Sequence, residues 1–202
     1  MRVPKLGMEP IRREALVSAT ITEIGQQGTL DVTVAQIARR AGMSSALAHH
    51  YFGSKQDIFL AAMRHVLSVY GAEVRGALAM AKTPRDRAVA ITEAGFGGAN
   101  FRPEVVAAWL NFYMLAQRVP EAARLLAIYH RRIQSNLTHA LRPALGGQAP
   151  DAARRIAGLI DGLYLREGLS GGAPDRRAAV ADVVHLIDLE LSAGTAPPEQ
   201  SA

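Results

Sequence analysis

The chain of 202 residues contains no cysteine, which excludes disulfides, thiolate zinc sites and cysteine nucleophiles. Aromatic residues are scarce, at 5%, and β-branched residues fall singly inside helical spacings, which argues against a sheet protein. No apolar run approaches the ~18 residues that a membrane span needs. The opening stretch MRVPKLGMEP has no apolar core segment, so the expectation is a cytoplasmic protein without a secretory signal. There is no H-E-x-x-H pair and no phosphate-cradling loop. His130, His139 and His185 are scattered, and Gly95-Phe96-Gly97-Gly98 reads as a helix end. No metal, cofactor or enzyme activity is expected from this pattern.

About half of the chain is apolar (49%) and a fifth is charged (20%), the balance of a globular protein. The net charge of +5 is mildly basic, compatible with nucleic acid but no proof of it. Helices are predicted at about 10–27, 33–41, 44–53, 54–80, 85–98, 103–118, 121–141, 151–169 and 175–192. Gly28, Gly42, Gly53, Pro84, Gly97-Gly98, Pro103, Pro120, Pro143 with Gly146-Gly147, and Pro174 supply the punctuation. Thr33 with Gln36, and Ser54 with Asp57, have the spacing of helix-opening caps. The expected architecture is all-α: a three-helix head over 1–53, a six-helix body over 54–193 and a loose tail over 194–202.

The segment TVAQIARRAGMSSALAHHYF, residues 33–52, has the layout of a helix-turn-helix. Ala38 is small where two helices must cross, and Gly42 tolerates the positive φ of a tight turn. Ala48 and Phe52 anchor the second helix, which then presents Ser45, Ala46, Leu47, His49 and His50 on its other side. Ser44 and Ser45 can hydrogen-bond base edges, and Leu47 can meet a thymine methyl. His49, His50 and Lys55 suit phosphates, as does the helix N-terminus at Thr33. Helix–turn–helix connections also occur in proteins that never meet DNA, so this layout alone leaves both readings open.

A leading helix, this motif, and Tyr51-Phe52-Gly53-Ser54-Lys55 opening a long helix together resemble the TetR family of one-component repressors. The matched head covers about residues 9–60. The resemblance implies an all-α dimer with a DNA-binding head and a ligand-binding body. It places DNA contacts at Thr33, Ser44, Ser45, Ala46, Leu47, His49, His50, Tyr51 and Lys55. Tyr51 stands where many relatives carry histidine.

In the body, Trp109, Phe112 and Tyr113 share one helical face, and Phe96 and Phe101 precede them. Asp161 interrupts an apolar run, GLIDGLYL. Several π faces with one carboxylate suit a quaternary ammonium ion. Aromatics at helical spacing are also common as plain core, and Asp161 can equally pair with an arginine. The segments AAWLNFY, RRIQSNL, GLIDGLYLREGLSG and LIDLEL resemble the choline-responsive branch of the family, repressors of glycine betaine synthesis genes. That resemblance implies choline as effector, with Phe96, Trp109, Tyr113, Asp161 and Tyr164 as its contacts. Asn111 departs from the apolar residue expected in its segment.

Ile156, Leu159 and Leu163, with Val180, Val184, Ile187 and Leu191, form apolar faces on the last two helices. Gly158 and Gly162 permit close helix approach. These faces either pair two copies in a four-helix bundle or bury within one chain; a symmetric DNA reader favours the homodimer. The remaining alternatives are a related repressor for a lipophilic drug or acyl compound, an enzyme, and a helical interaction module that does not bind DNA.

Overall fold

The structure, a computed structural model, describes residues 7–195. Nine α-helices occur among them: α1 Met8–Gln27, α2 Val34–Arg40, α3 Ser45–Phe52, α4 Lys55–Met80, α5 Pro84–Gly95, α6 Pro103–Ala116, α7 Pro120–Leu145, α8 Ala149–Leu169 and α9 Arg176–Thr195. The described residues contain no strand. The expected loose tail lies, from residue 196 onward, outside the described residues.

The starts of the helices are fixed by side chains. The Thr33 oxygen accepts from the Gln36 backbone N–H, while the Gln36 side chain accepts from Thr33 N–H. Ser54 with Asp57 and Thr83 with Asp86 repeat this reciprocal pattern. Each cap satisfies donors that a helix end leaves open.

Several expected boundaries moved by two or more residues, two of them for visible reasons. α5 stops at Gly95, three residues early, because Phe96 and Asn100 turn inward and are buried. α7 runs through Pro143 instead of ending before it. Proline removes one N–H bond, and so close to the helix end that loss is local.

The helices divide into two compact units. The first takes residues up to Leu67 together with Pro103–Leu125; the second takes Ser68–Arg102 and residues from Leu126 onward. By packing, α6 therefore groups with the head helices, and α4 contributes to both units.

In the first unit α1 packs against α2 and α6, and α2 against α3. Its core holds Leu16, Ile24, Val32, Ile37, Ala48, Ile58, Met63 and Phe112. Gly25 permits the α1–α6 approach, since a Cβ there would stand 2.5 Å from the Cα and Cβ of Glu104. Asn111 donates to the Ala107 carbonyl at 2.9 Å and to the Gly28 carbonyl at 3.3 Å. Its amide thus fastens α6 to the end of α1, which accounts for a polar residue in an apolar segment.

In the second unit α9 packs on α5 and α8. Arg85 grips Asp188 through two bonds of 2.6 and 2.9 Å, and Arg155 grips Glu190 in the same bidentate manner. Both carboxyls are held below their usual range, first by those arginine hydrogen bonds. The core holds Ile91, Phe96, Ile133, Leu137, Leu141, Ile156, Val183 and Ile187.

Candidate nucleic-acid interface and effector site

The turn between α2 and α3 follows from its sequence. Gly42 adopts φ +68°, its N–H donates to the Arg39 carbonyl, and Met43 N–H donates to the Ala38 carbonyl at 2.8 Å. This double closure ends a helix in left-handed geometry and suits glycine. Ala38 and Ala48 are buried where the helices meet. α3 then starts at Ser44, whose hydroxyl accepts from Leu47 N–H at 3.2 Å.

That register leaves Thr33, Ser44, Ala46, His49 and His50 exposed, with Ser45, Leu47, Tyr51 and Lys55 half-buried. Some of these residues also have internal partners. His49 Nδ1 lies 3.0 Å from the Gly53 carbonyl and closes α3. The Thr33 hydroxyl donates to Gln36 Oε1 at 2.8 Å. Tyr51 faces α1: Arg12 donates to its hydroxyl at 3.4 Å, and the Arg13 guanidinium lies 5.5 Å from its ring centre. Lys55 Nζ stands 5.3 Å from the centre of the Phe59 ring.

The aromatic residues expected to contact a ligand fall in both units. In the first, Trp109 is buried and Tyr113 half-buried on α6, their rings edge to face at 5.7 Å. In the second, Phe96 and Tyr164 stack at 5.4 Å, and Phe101 sets an edge against each. Phe96 is 0% exposed. The Tyr164 hydroxyl lies 2.6 Å from the Gly95 carbonyl and 2.9 Å from the Asn100 carbonyl, pinning the turn between α5 and α6. Phe96 and Tyr164 therefore pack as core beside that turn.

Asp161 sits differently. Its side chain is 28% exposed. Tyr129 donates to its Oδ1 at 3.0 Å, and His130 Nε2 lies 3.5 Å from its Oδ2. The Tyr70 ring meets Tyr129 edge to face at 5.8 Å. Burial raises the Tyr70 phenol well above its ordinary range, and the Asp161 charge adds to this. Tyr70 and Tyr129 escaped the sequence reading because they lie on α4 and α7, far from Asp161 in the chain. The one available signal was chemical: each of only five tyrosines on an apolar face must place a hydroxyl.

The residues expected to pair two copies divide by burial, and three of them need correction. Ile156, Leu163 and Ile187 are buried within the second unit, so a partner cannot rest on them. Leu159, Val180, Val184 and Leu191 are half-buried. The outward stripe of α8 is instead Gly158, Gly162, Leu165 and Leu169, with open space around both glycines and both leucines more than half exposed. On α9 Leu189 is similarly exposed. Among the described residues no cluster could hold a metal, and no helix is long and apolar enough to cross a membrane.

Known proteins bear directly on this arrangement. Residues 16–62 match the family profile of bacterial regulatory proteins of the tetR family, and residues 84–192 match that of the BetI-type transcriptional repressor C-terminal domain. The chain is 48% identical over 191 residues to the HTH-type transcriptional regulator BetI of Brucella suis, covering 94% of this chain and 96% of the relative. Identity to the regulator of the same name from Rhizobium meliloti is 46%, covering 95% of each chain. A solved transcriptional regulator from Pseudomonas aeruginosa superposes with a TM-score of 0.78 at 27% identity, over 94% of this chain and 95% of its own. A regulator from Saccharomonospora viridis, solved in complex with choline, shares the fold with a TM-score of 0.75 at 20% identity, over 89% and 96% of the two chains. Its relatives are regulators rather than enzymes. On the strength of both domain matches and near-full-length identity, the chain belongs to the BetI-type, TetR-family transcriptional repressors.

Proposed function

We propose that this repressor controls genes for choline uptake and for conversion of choline to glycine betaine, and that choline releases it from DNA. The observation that carries the reading is one domain pair in one chain: a helix-turn-helix with an outward recognition face, and a BetI-type body with Asp161 among tyrosines. The choline bound to the S. viridis neighbour supports the effector class. It acts in the cytoplasm, where its operator lies.

In this reading Ser44, Ser45, Ala46, Leu47 and His50 approach base edges. Lys55, His49 and the α2 N-terminus at Thr33 meet phosphates, with Tyr51 holding α3 against α1. Two copies pair through the stripe of Gly158, Leu159, Gly162, Leu165 and Leu169 with Leu189 of α9. Pairing sets the recognition helices about 34–36 Å apart, one turn of duplex. The ammonium of choline neutralises Asp161 and rests against the tyrosine rings beside it. The bound and released states differ in the setting of α4. A near-complete switch requires about 5.5 kcal/mol of differential affinity between them.

The test is an anisotropy titration of the full chain on duplexes selected from the promoters of choline-oxidation genes. Saturating choline should weaken binding at least tenfold; unchanged affinity would remove choline as the effector. Leu47→Ala should cut discrimination between operator and mismatched sites by about 1–3 kcal/mol. Lys55→Ala should weaken all sequences alike and reduce the salt slope by about one.

A further inference from the structure

One polar atom stands out in the second unit. The Tyr70 hydroxyl is buried, and no group among the described residues hydrogen-bonds to it. Protein interiors rarely leave a buried hydroxyl unanswered, because it loses its water without gaining a partner. The neighbouring tyrosines differ. Tyr129 donates to Asp161, and Tyr164 lies within hydrogen-bonding distance of two backbone carbonyls. Tyr70 packs edge to face on Tyr129, and its Cε2 passes 3.7 Å from where a Cβ on Gly95 would stand. α4, α5 and α7 therefore hold the ring next to Tyr129, whose hydroxyl donates to Asp161 of α8, and His130 also approaches that carboxylate at 3.5 Å. Burial and the aspartate charge keep the phenol protonated, so it is available as an O–H donor.

We infer that Tyr70 donates a hydrogen bond to the oxygen of a hydroxylated quaternary ammonium effector, and so selects that effector over one lacking the hydroxyl. Tyr129 and Asp161 form the cationic end of the same site. The inference deepens the choline reading and rests on it. The ammonium has no N–H to donate, so Asp161 and the tyrosine rings recognise it by charge and π density alone. Those contacts are the same for choline and for ethyltrimethylammonium, which has the same carbon skeleton without the oxygen. Only a placed donor can separate the two, and a site with a buried donor rejects the ligand that leaves it unpaired. A carboxylate in place of the hydroxyl is disfavoured by the neighbouring Asp161 charge, so betaine is a poor ligand at this site.

Isothermal titration of the full-length protein with choline and with ethyltrimethylammonium tests this directly. Wild type should bind choline about tenfold more tightly than ethyltrimethylammonium. Tyr70→Phe keeps the ring and should remove that preference, with choline weakened and ethyltrimethylammonium unchanged or strengthened. Tyr129→Phe should weaken both ligands together, because it disturbs the hold on Asp161 and not the donor. A wild type that binds both ligands equally overturns the Tyr70 assignment, whatever the variants do. So does a Tyr70→Phe protein that keeps the preference. In either case choline binding itself stands, and with it the effector reading. Failure of wild type to bind choline at all overturns both.

Discussion

Ala46 and His50 stand in solvent on α3, whereas Phe96 and Tyr164 are buried, stacked on each other and set edge to face with Phe101. The first unit turns its informative side chains outward. The second packs its conspicuous aromatic residues as core and holds apart a corner in which Tyr129 donates to Asp161 and Tyr70 packs on Tyr129. A DNA reader must present its face to a rigid duplex, so its functional residues are exposed by necessity. A small-molecule site is concave and enclosed, so its residues resemble core in every property except their hydrogen bonding.

The sharpest way to break this contrast is to remove one ring. Phe96→Ala should destabilise the protein by about 3–5 kcal/mol in urea denaturation, as expected for an emptied aromatic core site. His50→Ala should change stability by no more than about 0.5 kcal/mol, since an exposed side chain holds nothing in place. If Phe96→Ala were instead stable and failed only in effector binding, Phe96 would be a cage residue after all.

A smaller effect sharpens the picture of the first unit. Gly→Ala inside a helix ordinarily gains up to about 1 kcal/mol. At Gly25 the sign should reverse, because the new methyl would meet Glu104 backbone at 2.5 Å and α6 cannot yield as a side-chain tip can. Gly25→Ala should cost about 1–3 kcal/mol, the range for overpacked contacts. A stabilised variant would mean that α1 and α6 separate easily and that the head holds together without α6.

How far the sequence was legible follows the same divide. In the head, each signal is local: Thr33 and Gln36 are three residues apart, and Gly42 closes its turn on carbonyls within five residues. Such geometry is fixed by the chain segment itself. The aromatic cluster is not local. Tyr70, Tyr129 and Asp161 lie on three different helices, and spacing along one helix says nothing about which neighbour covers a face. Three of the expected pairing residues are interior for a related reason. Ile156 and Leu163 of α8 and Ile187 of α9 turn toward the core, leaving the glycine–leucine stripe outside. The packing of α6 on α1 was equally hidden, because it depends on Gly25, which reads in sequence as a weak point in a helix.

The mildest test concerns the turn that Tyr164 pins. Glu73 on α4 accepts from the buried Asn100 amide, which also donates to the Ala94 carbonyl at 3.0 Å. Burial raises the Glu73 carboxyl above its usual range, against a smaller opposing pull from Arg176. A carboxyl whose folded pKa is raised costs stability where it is ionised, and that cost disappears once the pH falls below its unfolded value. Glu73→Gln keeps an oxygen for Asn100 and removes the charge. Its melting temperature should be slightly above wild type at pH 7.5, and the gain should shrink toward zero as the pH falls through the carboxylate range. A variant less stable than wild type at pH 7.5 would show that the charge itself, through Arg176, holds the turn. The second unit would then rely on electrostatics where its packed rings now suffice.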